Sequence, residues 1–155
     1  MATVPDSVAD FLRGRRFAVA GVSRDGKSVG NAIFRKLRQA GYEVVPINPA
    51  AAEIDGVRCF ADLGTVPGAL DGVVIATHPA VAAEVVRQAV ARNIRHVWFH
   101  RSIDAGSVSD DAVRECTAHG IAPIVGGCPL MYCEPVDVAH RCMRWCLALG
   151  GRVPR

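Results

Sequence analysis

Short apolar runs alternate with helical patterns along the whole chain. Five runs predict β-strands, at residues 17–21, 43–47, 72–76, 96–99 and 121–125. Helices are predicted from a cap at Asp6 or Ser7 to about residue 12, over 29–39, after Pro79, over 110–118 and after Pro135 to about 149. Such alternation predicts an α/β fold, a doubly wound parallel sheet of about five strands. We expect the strand order 3-2-1-4-5.

The length and composition fit one such domain. The 155 residues are 50% hydrophobic and only 6% aromatic, so the core must consist largely of Ala, Val, Ile and Leu. We expect a single domain over residues 1–155, with its core between about 16 and 147. Residues 50–70 are less regular, with a turn and a short strand predicted at 54–57.

Composition also bears on location and partners. No run approaches the roughly 20 apolar residues that span a bilayer, and the first residues do not resemble a signal peptide, so we expect a cytoplasmic protein with free cysteines. Residues 1–50 carry eight Lys and Arg against four Asp and Glu. That excess suits a small polyanionic ligand, although a solvated helix face explains part of it. Long basic runs with interleaved aromatic residues are missing, which disfavours nucleic acid as a partner.

The first predicted strand runs into a loop typical of phosphate sites. Residues 21–28 contain glycines and hydroxyl side chains, and a helical pattern begins directly afterwards. Free N–H groups and partial positive charge at a helix N-terminus favour an anion. Gly21, Gly26 and Gly30 allow a close approach of the backbone. The alternative is that these glycines serve tight turns.

The end of the second predicted strand narrows the choice of nucleotide. Asn48-Pro49 occupies the position where an NAD-binding chain usually carries an acid for the ribose 2′-hydroxyl. A phosphate loop without that acid indicates a nucleotide other than NAD. Asn48 is also a good turn residue before proline, so a structural role is the alternative.

Several segments, in this order, resemble one known family. They are Gly21-Val22-Ser23, Ser28-Val29-Gly30-Asn31, the run from Gly41 to Pro49, Ile54-Asp55-Gly56, Val97-Trp98-Phe99 and Cys128-Pro129. Together they resemble the small stand-alone CoA-binding proteins, which are similar to the N-terminal domain of the succinyl-CoA synthetase α subunit. The resemblance implies a Rossmann-like domain that binds CoA or acyl-CoA across the strand C-termini.

The resemblance also implies which residues contact the ligand. The pyrophosphate would meet Gly21, Val22, Ser23, Ser28 and Val29, with Arg24 and Lys27 as charged neighbours. Asn48 and Pro49 would bound the adenosine side, and Thr77, His78 and Pro79 would line the next crevice. A neutral Asn48 suits CoA, because an acid there would repel the 3′-phosphate.

Other side chains leave chemical alternatives open. His78 and His100 follow predicted strands and could act as an acid or base, but no carboxylate at an obvious spacing orients either ring. Cys128, Cys133, Cys142 and Cys146 do not have compact zinc spacing. We expect Cys142 and Cys146 to pack as small apolar residues on a buried helix face.

Cys128 stands apart from the other cysteines, because it follows two glycines at a predicted strand end. A nearby helix N-terminus and Arg101 would favour a thiolate, and under oxidation Cys128 and the CoA thiol could then form a mixed disulfide. The alternative is that Cys128 packs beneath the loop.

The sequence therefore predicts non-catalytic binding of CoA or acyl-CoA, with no catalytic and no metal residues. An NAD(P)-dependent oxidoreductase is one alternative, and a CoA-ligase subunit that acts with a separate chain is another. We expect a small-molecule ligand and neither nucleic acid nor membrane as a partner. The acyl group, a protein partner and the oligomeric state do not follow from the sequence.

Overall fold

The computed structural model describes residues 3–101 and 106–154, and there the helices and strands alternate as predicted. The helices are α1 (Asp6–Leu12), α2 (Val29–Gln39), α3 (Pro79–Ala91), α4 (Asp110–Ala118) and α5 (Val138–Leu149). The strands are β1 (Arg16–Ala20), β2 (Glu43–Ile47), β3 (Glu53–Ile54), β4 (Val57–Arg58), β5 (Gly72–Ile75), β6 (His96–Phe99) and β7 (Ile124–Val125). Short 3₁₀ helices lie at Leu63–Thr65 and Pro129–Met131. Five parallel strands form one sheet flanked by helices, which confirms the predicted fold class.

The predicted order of the strands is wrong. The sheet runs β2-β1-β5-β6-β7, so β5 lies beside β1 and not outside β2. Residues 48–71 form a hairpin and a 3₁₀ helix, and contain no α-helix that could cover an outer strand. Instead, Asp71 Oδ2 accepts hydrogen bonds from the N–H groups of Arg15 and Arg16 at 2.7 and 2.9 Å. These bonds hold the start of β5 next to β1, and the topological switch point therefore lies between β1 and β5.

The core is divided between the two faces of the sheet, because successive side chains of a strand point to opposite sides. Phe17 and Val19 of β1 belong to the core that α1, α2 and α5 cover. Ala18 and Ala20 belong to the core beneath α3 and α4. Phe11 of α1 stacks on Phe17 with ring centroids 4.7 Å apart. Most of the buried aromatic residues thus lie on the first face, whereas Phe99 lies on the other, where small residues of β1 let α3 approach.

Two element ends differ from the prediction. The N-cap of α1 is Pro5, whose ring carries no hydrogen-bonding group, and only the Pro5 carbonyl accepts, from the N–H groups of Val8 and Ala9. The last strand is shorter than 121–125. The Ile121 N–H donates to Cys116 O at 2.9 Å and closes α4, and Pro123 has no N–H to give to a strand partner.

Other boundaries agree with the prediction. Ser28 caps α2, and Gly41 follows its end with φ +93°, the left-handed conformation that glycine adopts at helix ends. The turn predicted at residues 54–57 is the tip of the β3–β4 hairpin. None of the described helices has both the length and the apolar character needed to cross a bilayer.

Candidate functional site

Two glycines bring the loop after β1 against its neighbours. Gly21 has φ +103°, and a Cβ on it would lie 2.3 Å from the carbonyl oxygen of Ala76, just after β5. A Cβ on Gly30 would lie 2.4 Å from the carbonyl oxygen of Gly21. Both glycines are therefore required by close contacts within the protein itself, in addition to any contact with a ligand.

Asn31 holds this loop in place, and sequence reasoning missed its role. Its side chain is fully buried. Its Oδ1 accepts from the Ser23 N–H at 2.8 Å, and its Nδ2 donates to the Ser23 carbonyl at 3.0 Å. Ser28 Oγ lies 2.6 Å from Asn31 Oδ1 and accepts from the Asn31 N–H. The detectable signal was a polar residue among the buried positions of α2.

Asp25 closes the loop from the solvent side. Its carboxylate accepts from the Ser23 hydroxyl at 2.5 Å and from the Lys27 N–H at 3.0 Å. The bond from Ser23, followed by that from Lys27, lowers the pKa of Asp25 below its ordinary value. Arg24 and Lys27 are exposed beside it. The loop thus presents two cations to solvent, with one carboxylate engaged in its own hydrogen bonds.

Asn48 joins the end of β2 to this loop. Its Nδ2 donates to the Val22 carbonyl at 2.6 Å, and its Oδ1 accepts from the Ala50 N–H at 2.7 Å. The bond from the Ala50 N–H is a turn interaction, so Asn48 has the structural role that the sequence allowed as an alternative. Each of the two side-chain atoms can make a further bond, since an amide has two N–H groups and its oxygen two lone pairs. Pro49 is exposed.

The segment after β5 opens α3. His78 is the N-cap of α3, and its Nδ1 accepts from the Ala80 N–H at 3.2 Å, with Pro79 as the first helical residue. Thr77 Oγ1 is buried and has no hydrogen-bond partner among the described residues. A buried hydroxyl without a partner is unfavourable, so this atom is a candidate contact for a ligand.

The ends of β1, β2 and β5 and the first turns of α3 enclose a cavity of about 260 Å³. Five predicted site residues line it: Gly21, Val22, Asn48, Pro49 and Thr77. The remaining lining residues were not predicted: Ala20, Ile47, Ala61, Val81, Glu84, Val85 and Gln88. Those of α3 share one helix face, which was the available signal. The cavity is smaller than the roughly 300–1,000 Å³ that encloses a drug-sized ligand, so it has room for only part of a larger ligand.

The other predicted site residues do not line this cavity. Ser23, Arg24, Lys27, Ser28 and Val29 lie on the loop and at the start of α2. His78 and Pro79 begin α3. The structure therefore separates the predicted set into an apolar cavity, a polar loop after β1 and the first residues of α3.

A second strand-end region lies at β6 and β7. The Arg101 N–H donates to the Gly127 carbonyl at 3.0 Å, and His100 is buried. A Cβ on Gly126 would lie 2.7 Å from the Arg152 carbonyl oxygen, so the C-terminal segment packs on this turn. Ser102, predicted in the same loop, lies outside the described residues.

The structure separates the two interpretations of Cys128 and corrects the expectation for two other cysteines. Cys128 is 2% exposed, and burial raises its pKa to about 12, which disfavours a thiolate and supports the alternative that Cys128 packs beneath the loop. Although a 3₁₀ helix starts at Pro129, the cost of burying the charge is larger than its effect. Cys142 and Cys146 are exposed, not packed, because Leu147 occupies the buried side of α5. Among the described residues, no three His, Cys, Asp or Glu side chains lie together as a metal site.

Comparison with known proteins identifies the domain. A family model described as a CoA binding domain matches residues 15–134. The alpha subunit of an ADP-forming acetate–CoA ligase II from Pyrococcus furiosus is 33% identical over 66 residues, which are 42% of this chain and only 14% of that subunit. The uncharacterized protein YneT of Bacillus subtilis is 24% identical over 128 residues, 83% of this chain and 87% of YneT.

Solved structures that the chain resembles over most of their own length include a conserved hypothetical protein from Pyrococcus furiosus, with 29% sequence identity and a TM-score of 0.63. The match covers 70% of this chain and 90% of that protein. These matches confirm the resemblance found in the sequence. Since the family model spans most of the chain, the chain belongs to the CoA binding domain family.

Proposed function

We propose that this protein binds CoA or acyl-CoA at the switch point between β1 and β5 and that it does so without catalysing a reaction. The observation that carries the proposal is the pairing of an apolar cavity with a polar, cation-bearing loop at one sheet edge, in a chain that matches the CoA binding domain. Two parts of CoA match these two features. The planar adenine base suits the cavity, and the pyrophosphate and the 3′-phosphate suit the loop.

The cavity would hold the adenine ring. Its walls are mainly aliphatic, with Val81 and Val85 of α3 facing the end of β1. Asn48, Thr77 and Gln88 supply hydrogen-bonding groups at this wall, which suits a base that has an apolar face and a polar edge.

The phosphates would lie against residues 21–28 and the start of α2. The first N–H groups of a helix have no carbonyl partner within it and favour an anion. Arg24 and Lys27 are exposed there and would meet the pyrophosphate or the 3′-phosphate. Thr77, His78 and Pro79 would bound the path that leaves the cavity along the start of α3.

Calorimetric titration with CoA, acetyl-CoA, dephospho-CoA, NAD and NADP tests the choice of ligand. We expect CoA and acetyl-CoA to bind, dephospho-CoA to bind more weakly because it lacks the 3′-phosphate, and NAD to bind least. Binding of NAD or NADP in preference to CoA would contradict the proposal and support the oxidoreductase alternative.

A pair of matched variants tests the location. Val81 is 49% exposed and lines the cavity, whereas Val4 is 42% exposed and does not line it. We expect Val81→Trp to fill the cavity and abolish CoA binding, and Val4→Trp to bind like the wild type. Equal binding by both variants would place the ligand elsewhere.

A second candidate is a subunit of an ADP-forming ligase that acts with a separate chain. The observation that favours it is the 33% identity to the acetate–CoA ligase subunit over 66 residues. Because this chain covers only 14% of that subunit, we expect it to form no acetyl-CoA from acetate, ATP and CoA by itself. Formation of acetyl-CoA by the purified chain would overturn the non-catalytic assignment.

A further inference from the structure

Helix α5 has apolar residues on two opposite sides. Leu147 is buried against the core, and Met143 packs beside it. On the other side, Val138, Trp145 and Leu149 are 75%, 63% and 74% exposed. A surface helix normally carries one apolar stripe, which faces its own core. A second, exposed apolar stripe is therefore typical of a surface that binds another molecule.

The exposed residues form one continuous stripe. Val138, Cys142, Trp145 and Leu149 follow one another at intervals of four, three and four residues, which keeps them on one side of a helix of 3.6 residues per turn. The stripe is roughly 17 Å long, at 1.5 Å per residue. Arg144 lies on another side of the helix, where its guanidinium lies over the Tyr132 ring at 4.8 Å and donates to the Thr3 carbonyl. The exposed Arg141, three residues after Val138 and four before Trp145, flanks the stripe.

The intervals of four, three and four residues between these side chains are the same from either end of the helix. A partner helix with the same stripe, running antiparallel across a twofold axis, therefore meets it residue for residue. In that register Trp145 of one protomer lies over the small Cys142 of the other, and Val138 faces Leu149 at each end. The large Trp145 then meets the small Cys142 at the centre, the apolar Val138 and Leu149 meet at the ends, and the antiparallel helix dipoles attract.

The exposed area is sufficient for such a contact. A tryptophan of this exposure contributes on the order of 150 Å². With its neighbours and their counterparts, two stripes bury on the order of 1,000 Å², the lower limit of a specific interface. Helix α5 also lies outside residues 15–134, so this face is separate from the segment that matches the CoA binding domain.

We propose that the exposed stripe of α5 is a homodimer interface, in which α5 packs antiparallel on α5 of a second copy. The proposal does not depend on the bound ligand. It implies that Cys142 is covered in the dimer, while the buried faces of both protomers remain as they are.

Sedimentation velocity over a wide range of protein concentrations tests this proposal. We expect the wild type to dimerise and Trp145→Glu to raise the dimer dissociation constant at least tenfold. Ala118→Glu, at an exposed position of α4, is the control and should dimerise like the wild type. Leu149→Lys is a second stripe variant, and circular dichroism establishes that each variant is folded.

Alkylation of Cys142, followed by peptide mass spectrometry, locates the interface. We expect its rate in the wild type to fall severalfold as the protein is concentrated, and to be independent of concentration in Trp145→Glu. A wild type that stays monomeric would overturn the proposal, as would dimers that persist in both folded stripe variants. A monomer that instead binds anionic vesicles through Trp145 would also overturn it.

Discussion

We expect Thr77→Val to stabilise the ligand-free protein and to weaken its binding of CoA. Thr77 Oγ1 is buried without a hydrogen-bond partner among the described residues, and it belongs to a residue that lines the cavity. Valine has nearly the same shape and replaces the hydroxyl by a methyl group. The ligand-free protein would then no longer bear the cost of an unpaired buried hydroxyl.

The size of the effect follows from that cost. An unpaired buried polar group costs about 1–3 kcal/mol in proteins, and we take 1–2 kcal/mol because Thr77 is only half-buried as a residue. For a chain of this length such a gain raises Tm by roughly 2–8 °C. If CoA supplies the missing partner, its loss weakens binding by about 0.5–1.5 kcal/mol, or roughly two- to twelvefold.

Urea unfolding without ligand and calorimetric titration with CoA measure the two effects. Thr117→Val is the control, because the Thr117 hydroxyl donates to the Val113 carbonyl at 3.0 Å on an exposed helix face. We expect that variant to change stability by less than about 0.5 kcal/mol and to bind CoA normally. A Thr77→Val protein that is less stable than the wild type would refute the reasoning, since its hydroxyl would then have a favourable partner.

Three further predictions concern charge, reactivity and acid stability. Lys27→Ala should weaken CoA binding about two- to fivefold at low salt and less at high salt, because salt screens an exposed charge contact. An equal loss of affinity at the two salt concentrations would exclude a contact between Lys27 and the phosphates. Cys146 should react with iodoacetamide in the folded protein, whereas Cys128, whose pKa is raised by burial to about 12, should not. Peptide mass spectrometry identifies the alkylated cysteines, and rapid reaction of Cys128 would contradict its burial. The backbone bonds from Arg15 and Arg16 lower the pKa of Asp71, so its contribution to stability is present above the ordinary aspartate pKa and is lost as the pH falls through the lower folded value. Urea midpoints below about pH 4 should therefore depend less on pH in Asp71→Asn than in the wild type, and parallel curves would show that Asp71 makes no such contribution.

Local chemistry explains which parts of the fold were predictable. Ser28 accepts from the N–H of a residue three positions later, and Gly41 takes a left-handed conformation directly after α2. Each of these features depends on a few neighbouring residues, so a single sequence is enough to find it. The family resemblance rests on segments of the same kind, the loop after β1 and the end of β2.

The candidate site was predictable only in part. The residues of the loop after β1 and Asn48 follow strand ends directly, so the sequence alone predicts their place in the site. Glu84 and Gln88 line the cavity because α3 lies across the end of β1, which no local pattern reveals. Asn31 belongs to a segment that resembles the family, yet its burial and its bonds to Ser23 depend on the packing of α2 on the sheet.

The sequence by itself determined the alternation of strands and helices, because hydrophobic period and capping are properties of short segments. The tertiary structure decided the order of the strands. Asp71 pairs with Arg15 and Arg16, more than 50 residues earlier in the chain, and so places β5 beside β1. The tertiary structure also decided which side of α5 is buried. The helical period is the same for the side that holds Leu147 and for the side that holds Trp145, and only packing against the sheet distinguishes them.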